Sequence, residues 1–86
     1  MLRDRVMNGN GSRILKATYG VLSRLQDSDP ALQVQSGAVM LYALCEVLGL
    51  DPKEMLEMGE RVVSEARKER SEHMRALEMY LEGELK

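Results

Sequence analysis

Over residues 38–48 the chain reads Ala-Val-Met-Leu-Tyr-Ala-Leu-Cys-Glu-Val-Leu, with Glu46 its single charge. A helix built on that run has no wide polar face, so it must be covered on several sides. In a chain of 86 residues, which supports one small domain, two places offer such cover. The helix is the central element of the fold, or it lies in a subunit interface.

The margin for folding alone is thin. A chain of this mass hides about 9,000 Å² on folding, worth on the order of 130 kcal/mol if roughly 60% is apolar. Ordering every residue costs about the same. Stability assisted by a partner follows as an expectation. Seven Met, three Tyr and no Phe or Trp suit helix–helix packing, because straight side chains lose little rotamer freedom in a helix. No stretch alternates as a strand does, and no repeat or low-complexity tract is present. The fold class expected is all-α, a compact three- to four-helix domain that self-associates.

Local signals divide the chain. The opening residues do not read as a secretory leader, and Asn8-Gly9-Asn10-Gly11 separates them from the remainder of the chain. Residues 1–11 are therefore expected as a flexible N-terminal arm. A single helical domain is expected over 12–86. Ser12 can cap a first helix over about 12–26, where Ile14, Leu15, Thr18, Val21, Leu22 and Leu25 form one stripe. Asp29-Pro30 starts a second over about 31–48, and Gly49 closes it. Gln33, Gln35, Ser36 and Gly37 leave its first turn open, so it begins anywhere from Ala31 to Ser36. Asp51-Pro52-Lys53-Glu54 starts a third over about 52–68, with Glu54 reaching back as a capping box. Its stripe lapses from Arg67 to Glu72, which predicts a break before a last helix over about 71–84, begun by Ser71. There His73, Met74, Leu77, Tyr80, Leu81 and Leu85 resume the stripe.

No catalytic constellation emerges, and the chain is read as a non-enzyme with no cofactor and no metal. His73 stands four residues after Glu69 and beside Glu72, which supplies too few ligands for zinc. Cys45 reads as a core thiol without the electropositive setting that reactive thiols need. Tyr19, Tyr42 and Tyr80 read as core-edge residues. An enzyme would need a pocket completed between subunits around His73, Glu69 and Tyr80. Gly20, Gly37 and Gly59 fall inside helices, where each costs about 1 kcal/mol relative to Ala, and so suggest close helix crossings. Residues 44–58 have the texture of a DNA-binding helix-turn-helix. The outward positions of its second helix, however, include Lys53, Glu54, Glu57 and Glu60, an acidic face that phosphates repel.

Charge is uneven along the chain. Residues 1–26 carry Arg3, Arg5, Arg13, Lys16 and Arg24 against Asp4, a net +4, whereas residues 51–86 carry seven Lys/Arg against ten Asp/Glu, a net −3. Those five cations define the alternative function, a nucleic-acid-binding accessory. The leading expectation is a non-enzymatic interaction protein that contacts itself, as a dimer or higher oligomer, and a protein partner. Its self-association residues are Val39, Met40, Ala43 and Val47, with Met55, Met58, Met74 and Met79 as candidates for an adaptable strip. The longest uninterrupted apolar run, 38–45, is far short of a membrane span, so no membrane partner is expected.

The segment Leu41-Tyr42-Ala43-Leu44-Cys45-Glu46, then Gly49-Leu50-Asp51-Pro52, and the tail Ala76-Leu77-Glu78-Met79-Tyr80-Leu81-Glu82-Gly83-Glu84-Leu85 resemble small proteins encoded by tailed bacteriophages and prophages. The resemblance covers most of 12–86 through helix-turn texture. It implies a phage or prophage origin and residence in the cytoplasm of a bacterial host. It carries no activity and no functional residue over to this chain.

Overall fold

Capping groups set most of the helix boundaries. The computed structural model describes residues 1–85, the side chains of 84 and 85 excepted. Residue 86 of the expected domain and the Leu85 side chain of the last stripe thus lie outside the described residues. Among the described residues five helices succeed one another: α1 (Leu2–Met7), α2 (Gly11–Arg24), α3 (Pro30–Leu48), α4 (Pro52–Lys68) and α5 (Glu72–Leu85). The all-α class is the one expected, and no described residue is in a strand. The last four helices start and end within two residues of their expected bounds.

Residues 1–11, expected as a flexible arm, hold a six-residue helix instead. Arg3 grips Glu54 of α4 with two 2.7 Å hydrogen bonds, from Nε and Nη2 to the two carboxylate oxygens. Arg61 Nη2 donates to the Met7 carbonyl at 2.8 Å. At the turn after α1 a Cβ on Gly9 would come within 2.9 Å of Ile14 Cδ1. Glu54 is thereby taken up by Arg3, and its expected capping-box role is displaced.

Asn10, not Ser12, caps α2, accepting from the Arg13 amide at 3.0 Å. Asn and Ser are comparable caps, and Asn10 is the one in extended backbone geometry. Asp29 accepts from the Ala31 amide at 2.7 Å, so α3 begins at Pro30 with no delay toward Ser36. Gly49 ends α3 at φ 72°, and the Leu50 amide returns to the Cys45 carbonyl at 2.8 Å. Asp51 caps α4 through the Lys53 amide. The expected break falls at 69–71. Arg70 adopts φ 55°, the Arg70 and Ser71 amides donate back to the Arg67 and Ala66 carbonyls, and Ser71 Oγ accepts from the Met74 amide. That is a Schellman stop with Arg at the position glycine usually fills.

The core forms where α2, α4 and α5 meet. Leu15, Ala66, Met74 and Leu77 are buried together, with Leu22, Val62, Val63 and Leu81 packed around them. Tyr80 on α5 donates to the Leu22 carbonyl at 3.2 Å and packs a tilted ring on Tyr19, 5.2 Å between centroids. Of the two covers foreseen for α3, the first is therefore not used, because α3 is peripheral. Only Gln33 and Cys45 of its 19 residues are buried. Gln33 Nε2 donates to the Ser28 carbonyl at 2.9 Å, while its Oε1 is buried without a partner.

The resulting body is flat, 37 × 30 × 17 Å. Its accessible surface is 6759 Å², against about 5,100 Å² for a folded monomer of this mass. Its radius of gyration, 13.3 Å, exceeds the roughly 12 Å expected for this length. Folding of the single chain therefore leaves on the order of 1,600 Å² uncovered that a chain of this size normally hides.

Candidate interaction surface

Most of the exposed large apolar side chains among the described residues belong to α3. At 100° per residue, Leu32, Ser36, Val39, Met40, Ala43 and Val47 fall within about 100° of arc on the side away from Cys45. Val39 is 67% exposed and Val47 82%, with Leu32 and Met40 also open to solvent. Tyr42 and Leu44 flank the strip and are more than half exposed. Tyr42 is thus a surface residue on α3, not the core-edge residue expected. Ser36 leaves a shallow hollow of about 370 Å³ among Leu32, Gln35, Val39 and Met40. Eight large apolar side chains stand exposed on this one helix.

All four residues singled out for self-association, Val39, Met40, Ala43 and Val47, lie on this strip and are exposed. Leu32 and Ser36 extend it by two turns. Their place was readable from the spacing 32, 36, 39, 43, 47, but the neighbouring glutamines obscured where the helix began. The methionine strip is not assembled: Met55 and Met74 are buried, Met58 is half-buried and Met79 is exposed on α5. The glycines do not mark crossings within the chain, since a Cβ on Gly20, Gly37 or Gly59 would meet nothing within 4 Å.

The helix is also long. An 18-residue window of Pro30–Leu48 has mean hydropathy 1.4 and is 11% buried, so length and composition alone would let it cross a membrane. The uninterrupted run 38–45 understated this, because Gln33, Gln35 and Ser36 join the same helix.

The five N-terminal cations are divided. Arg3 is committed to Glu54 and lies 3.7 Å from Asp4. The guanidinium hydrogen bonds hold the Glu54 carboxyl below its usual range, and the same pairing raises Arg3 further. Arg5 is exposed on α1. Arg13, Lys16 and Arg24 are exposed on α2 within about 80° of arc. No acidic residue lies in α2, and among the described residues no ion pair engages these three.

The break at 69–71 undoes the helical spacing of Glu69 and His73. Both still line an open cleft of about 510 Å³, with Glu65, Glu72 and Ser12. Among the described residues no three His, Cys, Asp or Glu side chains are grouped to hold a metal. Tyr80 lies elsewhere, on Leu22 and Tyr19, so the trio His73, Glu69 and Tyr80 is not brought together within one chain.

These features define a class: a small all-α protein whose most apolar helix is left mostly exposed by its own chain. No protein-family model, curated protein or solved structure matches the sequence.

Proposed function

We propose that this chain is a non-enzymatic interaction protein that works through protein–protein contacts of α3, as a homo-oligomer. The observation that carries the reading is the exposure of α3: 19 residues, one charge, and 11% of its apolar window buried. A bilayer is the less favoured cover for the same surface. A crossing α3 would put α2 and α4 on opposite sides of about 30 Å of hydrocarbon, yet both pack on α5. Crossing would thus separate the core. Origin in a phage or prophage and residence in a bacterial cytoplasm belong to the same proposal, supported by the helix-turn texture of residues 41–52 and 76–85.

The test is the light-scattering mass of the eluted protein over a range of concentrations. The reading expects twice 9.7 kDa or a higher multiple. A concentration-independent single-chain mass refutes it.

The basic strip of α2 favours a second reading, a nucleic-acid-binding accessory. With no Trp and three Tyr the protein absorbs weakly at 280 nm, so bound nucleic acid would dominate the eluted spectrum. Binding through Arg13, Lys16 and Arg24 falls steeply with salt, and Arg13→Ala with Lys16→Ala shallows the slope by about 2. Absence of binding at low ionic strength removes this reading.

A further inference from the structure

We infer that the occupant of α3's outward strip is α3 of a second copy, laid antiparallel about a two-fold axis that passes between residues 39 and 40. The inference rests on the interaction reading above and adds partner, direction and register. Three observations support it.

The first is area. The single chain exposes on the order of 1,600 Å² beyond a folded monomer of its mass, about twice the roughly 800 Å² that each partner contributes to a stable interface. Most of the exposed large apolar side chains among the described residues are on α3, so that helix is where such an interface would form.

The second is the order of residues along the strip. A two-fold interface is isologous, so the residue at one position meets its counterpart and the reverse holds too. About the midpoint of 39 and 40, Leu32 stands level with Val47 of the second copy, Ser36 with Ala43, and Val39 with Met40. Each pair is equidistant from that midpoint, and the two small residues meet each other. The hollow among Leu32, Gln35, Ser36, Val39 and Met40 then lies opposite Ala43 of the second copy, so the two backbones come close there. Matched residues extend over about 22 Å of helix.

The third is the single charge. Glu46 sits at one edge of the strip, and Gln35 lies on the same edge. Antiparallel copies place like edges side by side, so Glu46 comes near the Gln35 amide of the second copy, which can donate to it. Parallel copies place opposite edges together and would set Glu46 against Leu44 and Leu48, where a carboxylate loses water without a donor.

Disulfide trapping in the full chain tests the register. Ser36→Cys and Ala43→Cys are made separately and oxidised alone and as a mixture, with wild type reporting any background from buried Cys45. The pairing expects a covalent band at twice 9.7 kDa from the mixture and none from either variant alone. In that register the two copies of residue 36 stand about 10 Å apart along the axis, beyond disulfide reach. Self-trapping of each single variant shows parallel copies and overturns the inference. A dimeric mass with no trapping from the mixture overturns the pairing but leaves the interaction reading intact. A monomeric mass together with sedimentation on phosphatidylcholine–phosphatidylglycerol vesicles overturns both and assigns the strip to a lipid surface.

Discussion

Val39→Glu separates the cost of a substitution in the single chain from its cost in an assembly. Val39 is 67% exposed, so within one chain the change touches little and should move stability by no more than about 0.5 kcal/mol. In the antiparallel pair the same residue lies beside the two-fold axis. Covering it contributes about 1–2 kcal/mol per copy, since full burial of a valine is worth about 1.5–3 kcal/mol. The two introduced carboxylates would stand roughly 6 Å apart, costing about 3 kcal/mol at an effective dielectric near 20. Together the loss is at least about 5 kcal/mol, more than a thousandfold in the dissociation constant. Sedimentation equilibrium on wild type and variant reads that change directly. Val21→Glu on α2, also at an exposed valine, is the matched control and should leave association unaltered. Thermal unfolding of the variant should lose its dependence on protein concentration. If Val39→Glu and wild type give the same mass distribution, or Val21→Glu dissociates the assembly equally, the reasoning from α3 fails.

Two further predictions concern the fold that presents this strip. Arg70 holds φ 55°, a left-handed conformation costing roughly 1–2 kcal/mol for a residue with a side chain. Arg70→Gly should therefore raise stability by about 1 kcal/mol, or roughly 4–8 °C in Tm for a chain of this size, and an unchanged or lowered Tm would contradict the Schellman assignment. The Glu54 carboxyl, lowered by hydrogen bonds from Arg3, favours the docked α1 at pH above the free glutamate value of about 4.3. That contribution is lost as pH falls through the depressed folded value. Amide exchange in α1 should accelerate in that acid range in wild type. In Glu54→Gln the acid-specific change should be absent, and an identical acid response in the two proteins would remove the ion pair from the account.

How far the fold was legible depended on whether the deciding contacts were local. Asp29-Pro30, Asp51-Pro52, Gly49 and Ser71 act within a few residues of where they stand, and the helix boundaries they set are those observed. The start of α2 moved because Asn10 and Ser12 are near-equal caps two positions apart, and backbone geometry chose between them. The docking of α1 was invisible for a different reason. Arg3 and Glu54 are 51 residues apart, and neither shows in sequence that it has the other. Asn8-Gly9-Asn10-Gly11 does make a break, but a break says nothing about whether the segment before it finds a surface.

The exposed strip was half legible, for a reason specific to α3. Periodicity names the buried face of a helix only when its polar face supplies the contrast. In α2 it does, and Leu15 is buried on the face that the pattern marks. Residues 38–48 are apolar nearly all round, so the pattern demands cover without giving a direction. The direction comes from packing, which turns Cys45 inward and leaves Val39, Ala43 and Val47 outward. The chain could have reduced its exposure by placing α3 at the centre of the fold, the first of the two covers expected for it. Instead α5 occupies that place, built on Met74 and Leu77, and α3 is displaced to the edge of a body 17 Å thick. A helix so apolar at an edge is costly for a single chain and stabilising for an assembly, which is the physical ground for reading its outward face as the working surface of this protein.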